Sequence, residues 1–272
     1  MQQARFISIE DIRLAYYVRN PDEKNTIFLI HGNSSSSRIW EAQLSSAALS
    51  AWRLIALDLP AHGLSDPFPD YSMPALGRLL AAAIKELSAD SPCIIAGLSL
   101  GANVLAEMLQ YDLKPAGLVL ISSCAIGNLS DLELIFKPGI DIHAAFTDQV
   151  SLEELQQYWR TGGVKDPDGE KFTQFAEDYH AVKDNFRSGM FASVQAGKIS
   201  DEIALLQQSA LPLLAIFGEE DGVCNTDFLD HKGLMLWHNK VFKLPEAGHF
   251  ANLDQPEDTC RLLERYATDV FK

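Results

Sequence analysis

The sequence predicts an α/β fold built on a mostly parallel sheet. Three observations carry that expectation: short, continuously apolar runs such as Thr26 to Ile30, helical stretches between them, and polar or glycine-bearing loops where the runs end. A strand covered by helices on both faces needs no polar alternation, so such runs read as core strands. At 272 residues and 47% hydrophobic composition, the chain is long enough to bury a large core and carry a sizeable insertion.

Residues Arg5 to Ile9 and Arg13 to Val18 alternate as a hairpin of half-buried strands would. Asn20-Pro21-Asp22-Glu23 is a polar turn, and Thr26 to Ile30 is the first buried strand. It ends in the polar loop His31-Gly32-Asn33-Ser34-Ser35-Ser36-Ser37, and in open α/β sheets ligands sit at such strand ends. A helix is expected through Trp40 and Leu44, then a strand from Leu54 to Leu57 closing on Asp58-Leu59-Pro60-Ala61-His62-Gly63. Met73 to Leu87 has a clear amphipathic helical pattern.

Cys93 to Ala96 is the next buried strand. It turns at Gly97-Leu98-Ser99-Leu100-Gly101 and continues with Val104, Leu105, Met108 and Leu109 at helical spacing. A bare G-x-S-x-G is common by chance; between a strand and a helix it means a nucleophile elbow. Serine on so sharp a turn takes strained dihedrals, and the flanking glycines let backbones close in. The turn sets the hydroxyl beside a helix N-terminus, whose free N–H groups stabilise an oxyanion.

Gly117 to Ile121 is another buried strand, after which the alternation lapses from Cys124 to Gln208. Helical patterns at Leu152 to Trp159 and Phe172 to Val182, with a loop over 161–169, replace it. The expected division is a core of residues 1–124 and 209–272, with 125–208 inserted as a helical cap. The alternation resumes with a strand from Leu213 to Phe217, a helix near Phe228 to Leu236 and a strand from Lys240 to Leu244. A final helix is expected from Asp254, with Pro256 and Glu257 in its first turn.

Serine at neutral pH needs a base, and the base an orienting acid; resemblance to proteins with such an elbow implies the chain order serine, acid, histidine. Of His143, His180, His231, His238 and His249, only His249 stands in a loop directly after a core strand, in Pro245-Glu246-Ala247-Gly248-His249. The acid should leave the preceding core strand, where Gly218-Glu219-Glu220-Asp221-Gly222 offers three carboxylates. Asp221 is favoured because Gly222 lets the loop fold back. Asp58 precedes the elbow and reads as a turn-holding side chain.

The formal net charge of −15 argues against nucleic acid and anionic membrane as partners. Neither a signal peptide nor an apolar run of membrane-spanning length is read, so a cytoplasmic location is expected. Cys93, Cys124, Cys224 and Cys260 lie far apart without C-x-x-C, so buried reduced thiols are expected, with neither a zinc site nor a disulfide framework.

At these residues the chain resembles an α/β-hydrolase over nearly its full length, least in the cap. His31-Gly32-Asn33 is similar to that family's oxyanion loop, D-L-P-A-H-G-L-S-D to its strand-4 signature, and G-L-S-L-G to its elbow. Ala61 departs from the usual glycine. The resemblance implies a mostly parallel eight-stranded sheet flanked by helices, Ser99, Asp221 and His249 as the catalytic set, and an oxyanion hole from the N–H groups of Asn33 and Leu100. The loop H-G-N-S-S-S-S-x-x-W also resembles haloalkane dehalogenases, but those need an aspartate nucleophile where this chain has Ser99. A further similarity is to lactonases acting on N-acyl homoserine lactones, in H-G-N-S-S-S, Asp227-Phe228, Leu236-Trp237 and A-G-H. It implies that Tyr158 contacts the lactone.

The expected chemistry is acyl transfer from an ester or lactone to water through Ser99, with no cofactor or metal and a monomer or homodimer as the working form. Phe136, Phe146, Tyr158, Trp159, Phe186, Met190 and Phe191 are expected to wall an acyl chain. The rival readings are a general carboxylesterase, a carbon–carbon bond hydrolase, and a ligand-binding protein on a hydrolase scaffold.

Overall fold

Eight strands form one sheet in the order β1-β2-β4-β3-β5-β6-β7-β8. They are β1 (Arg5–Ile9), β2 (Ile12–Arg19), β3 (Thr26–Ile30), β4 (Arg53–Leu57), β5 (Cys93–Leu98), β6 (Gly117–Ile121), β7 (Leu213–Gly218) and β8 (Leu236–Leu244). β2 pairs antiparallel with β1 and β4, and every other pairing is parallel. The computed structural model describes residues 3–89, 91–166 and 168–272. Met1 and Gln2, in the stretch read for a leader, and Pro167, in the loop expected over 161–169, lie outside them, as does Asp90.

The helices are α1 (Glu41–Ser45), α2 (Met73–Ser88), α3 (Leu100–Met108), α4 (Leu132–Ile135), α5 (Leu152–Thr161), α6 (Glu170–Ala181), α7 (Phe186–Gln195), α8 (Glu202–Ser209), α9 (Ala251–Asp254) and α10 (Pro256–Val270). The period-2 geometry of a strand sends alternate side chains to opposite faces. On β3, Phe28 and Ile30 join the apolar layer of Leu79 and Leu105, while Ile27 and Leu29 join that of Trp40 and Leu263. Every residue of β3, β5, β6 and β7 is buried, as continuous apolar runs require. Helices α4 to α8 all fall between β6 and β7.

Three expected elements differ. No helix forms near Phe228 to Leu236: Phe228, Asp230 and Lys232 donate to carbonyls three residues back, making successive turns. Phe228 and Leu229 are buried there, and Gly233 leaves the turns with φ of 65°. β8 then starts at Leu236, four residues before the expected Lys240. Its register shifts between Leu213 and Ala215 of β7, and His238 and Asn239 take positive φ, so the bulge turns exposed residues outward. The final helix starts at Pro256, two residues late, because Asp254 closes the short α9 and Gln255, at φ −127° and ψ 65°, breaks the chain between the two helices. Among the described residues, no helix is long and apolar enough to cross a membrane.

Candidate active site

The loops leaving β3, β5, β6, β7 and β8 carry Asn33, Ser99, Cys124, Asp221 and His249. Ser99 sits at φ 50° and ψ −118°, a strained backbone for a residue with a Cβ. Its surroundings over-determine that geometry. The Ser99 N–H donates to Ile121 O at 2.9 Å, and its carbonyl accepts from Ala102 at 2.8 Å. A Cβ on Gly97 would stand 2.3 Å from Gly101 O, and one on Gly101 2.5 Å from Ile30 O, so only glycine lets β5, α3 and β3 close in. Leu100 opens α3, so its N–H has no acceptor within the helix. The loop after β3 runs against Ser99, since a Cβ on Gly32 would lie 3.4 Å from Ser99 Cβ.

His249 Nε2 stands 3.0 Å from Ser99 Oγ, and its Nδ1 stands 3.0 and 3.1 Å from the two oxygens of Asp221. Nδ1 faces a carboxylate, so it carries the proton, and Nε2 accepts from the serine hydroxyl. Burial opposes charge on the imidazole, but Asp221 outweighs it and raises the His249 pKa above its ordinary value of 6.5. Burial likewise opposes the Asp221 carboxylate. His249, with the N–H groups of Cys224 and Val223 at 2.9 Å, holds its pKa below the usual value. Glu219 and Glu220 are exposed, and Glu220 pairs with Lys165 at 2.6 Å. His143, His180, His231 and His238 are exposed.

Ser99 and His249 open into a cavity of about 310 Å³ that Asn33, Leu100 and Tyr158 also line. Phe136, Phe146, Met190 and Phe191 supply apolar wall. Two aromatics expected there stand elsewhere. Trp159 is buried against Phe175 and Phe250, with ring centroids at 4.7 and 4.6 Å, and Phe186 packs on His62 and Tyr71. The Asn33 amide donates to Ala145 O at 2.7 Å, tying the loop after β3 to the segment between β6 and β7.

Two further histidines brace that loop from behind. His31 Nδ1 donates to Gly32 O and its Nε2 accepts from Leu59 N–H at 2.9 Å; His62 Nδ1 donates to Pro60 O and its Nε2 accepts from Ser34 N–H at 3.2 Å. Asp58 takes the expected turn-holding role, accepting from the N–H and hydroxyl of Ser37 and from Leu64 N–H.

Sequence reasoning missed several residues of the site. Glu202 lines the cavity and accepts from Asn103 at 2.7 Å and Ile126 N–H at 2.9 Å; burial pushes its pKa up to about 8. Arg187 is 1% exposed, donates to Ser34 Oγ at 2.7 Å and lies 3.5 Å over the Tyr179 ring. The cysteines, expected as buried reduced thiols, are all free, and Cys124 is only partly buried. Cys124 Sγ lies 3.3 Å from Cys224 Sγ and 3.8 Å from Ser99 Oγ. The sequence showed only that each follows a core strand; that β6 and β7 are neighbours is a finding of the structure.

Residues 27–262 match the alpha/beta hydrolase family. The dihydrolipoyllysine-residue acetyltransferase component of an acetoin cleaving system from Cupriavidus necator is 24% identical over 282 residues, covering 96% of this chain and 68% of that protein. The pimeloyl-[acyl-carrier protein] methyl ester esterase of Neisseria meningitidis is 23% identical over 260 residues, covering 92% and 79%. Among solved structures, a variant of the N-acyl homoserine lactonase AidH complexed with N-hexanoyl homoserine lactone superposes with a TM-score of 0.87 at 23% identity, covering 99% and 98% of the two chains.

Proposed function

This chain belongs to the alpha/beta hydrolase family, and we propose that it hydrolyses carboxylic esters through Ser99, His249 and Asp221, with N-acyl homoserine lactones as its substrates. The observation that carries the reading is the unbroken line from Asp221 through His249 to Ser99, at 3.0 Å for each contact, opening on an apolar cavity.

The chemistry follows from that line. Ser99 Oγ attacks the ring carbonyl while Nε2 of His249 takes its proton, and Asp221 holds the imidazole in the right tautomer. The N–H groups of Asn33 and Leu100 stabilise the tetrahedral oxyanion. Collapse expels the ring oxygen, which receives the proton from His249 and leaves the ring opened as an acyl-enzyme. His249 then draws a proton from water, whose hydroxide attacks that acyl carbon, and returns the proton to Ser99 Oγ as the acyl bond breaks. An ester suits this sequence better than an amide, because its carbonyl is attacked more readily and its alkoxide departs with a single proton.

Residues 125–208 serve as the cap over the core. The acyl tail lies against Phe136, Phe146 and Met190, and longer tails bind better by up to about 0.8 kcal/mol per buried CH₂. Tyr158 offers its hydroxyl to the lactone. The likeness to the lactonase supports the substrate assignment through shared fold.

Product mass tests it. Incubation with N-acyl homoserine lactones should add one water to the intact molecule, and acidification should reverse the change. Amide cleavage would instead give a free fatty acid and homoserine lactone. If neither product forms while simple aryl and alkyl esters turn over quickly, the lactonase assignment fails and a general carboxylesterase replaces it.

A further inference from the structure

Two thiols that the proposed hydrolysis does not use stand beside its base. Cys124 leaves β6 and Cys224 lies three residues after Asp221, and their sulfurs are 3.3 Å apart. The donor atoms of Cys124, Cys224 and His249 all lie within 4.8 Å of one another. Cys124 and His249 line the cavity, which gives a path from solvent.

We propose that Cys124, Cys224 and His249 form a binding site for a soft divalent cation of the zinc and cadmium type, and that its occupancy takes the base away from Ser99. Two thiolates and an imidazole are the donor set such cations select, and hard cations such as Mg²⁺ avoid it. His249 Nδ1 is committed to Asp221, so Nε2 is the ring atom with a lone pair to give. Asp221 behind the ring orients the ligand as carboxylates do behind zinc-bound histidines. Zn–S bonds of about 2.3 Å in a tetrahedron put sulfurs about 3.8 Å apart, so the pair opens by only about half an ångström. Ser99 Oγ, 3.8 Å from Cys124 Sγ and 3.0 Å from His249 Nε2, or a water from the cavity, closes the fourth position. On binding, each thiol gives its proton to solvent, and Nε2 exchanges the serine hydrogen bond for the cation.

The test uses the purified, reduced chain with Cd²⁺ or Zn²⁺ alone. Cd²⁺ should raise an ultraviolet thiolate-to-metal band that saturates at one cation per chain. The band should also appear in Ser99→Ala, so it reads the site whether or not any ester is turned over. With an aryl ester, both cations should inhibit, a chelator should restore the rate, and equal Mg²⁺ should have no effect. Cys124→Ala and Cys224→Ala should each weaken the band and raise the half-inhibiting concentration at least ~10-fold against their own uninhibited rates, since losing a ligand costs no less than losing a group behind one. Should Cys224→Ala fail to fold, Cys124→Ala decides alone, because its side chain borders the cavity. A missing band, or inhibition at the same cation concentration in the cysteine variants, would overturn the site and put the cation on surface carboxylates.

Discussion

His249 and the pair His31 and His62 are all withdrawn from solvent at the C-terminal ends of the core strands, yet their surroundings pull their basicity in opposite directions. Burial lowers the pKa of each ring. At His249 the Asp221 carboxylate in direct contact more than offsets it. At His31 burial wins over the more distant Asp58, and at His62 burial is reinforced by the neighbouring His31. His31 and His62 each donate through one nitrogen and accept through the other, and so brace the loop after β3. Burial alone lowers a histidine's basicity; a contacting carboxylate restores it.

Substitutions should break this contrast with graded force. His249→Ala should lose about 10⁴-fold or more in kcat, because the base and the nucleophile act as a unit. Asp221→Asn leaves the ring in place but removes the charge that sets its tautomer, and should cost about 10³- to 10⁴-fold in kcat with little change in KM. Steady-state kinetics on an aryl ester checks both. A strut behaves differently: His62→Ala opens a cavity and strands the Ser34 N–H, so it should cost about 2–4 kcal/mol of stability by denaturant titration, with kcat reduced less than ~10-fold.

Acid sharpens the same comparison. The base must be neutral to act, so kcat/KM should rise with pH through a midpoint above 6.5, and Asp221→Asn should move that midpoint down. For stability the signs are opposed. A raised pKa makes the folded state bind the extra proton, so the His249 contribution is full below ~6.5 and is lost as pH climbs through the raised value. A lowered pKa makes the unfolded state bind it, so His62 erodes stability as pH falls below ~6.5, and His62→Gln should flatten that slope. Smallest of all, Glu219→Gln and Glu220→Gln should leave kcat within about twofold, since both side chains face solvent and exposed pairs contribute little.

Ser99 and His249 could be singled out from the sequence because each stands in a loop directly after a core strand. The central strands β3, β5, β6 and β7 were legible for a related reason, as buried runs need no alternation, whereas β1 and β2 were read from their alternation. The acid was harder to read. Three carboxylates in a row look alike until β7 ends and turns Asp221 inward to 0% exposure, leaving its two neighbours outside. Cys124 and Cys224 could not be paired, because they lie a hundred residues apart and meet only through the adjacency of β6 and β7. Arg187 carried no signal either, since its burial depends on Ser34, Asp148 and Tyr179 arriving from three other segments. The false helix after Phe228 shows the converse. Local apolar spacing there serves a run of turns whose side chains still reach the core.

That Ser99 is an activated nucleophile is the claim on which the rest depends, and covalent labelling tests it most directly. A fluorophosphonate should modify the wild-type chain once, at Ser99 by peptide mapping, and Ser99→Ala should take up no label while remaining folded. Undiminished labelling of Ser99→Ala, or an unlabelled wild type, would contradict the account and favour a ligand-binding protein on a hydrolase scaffold.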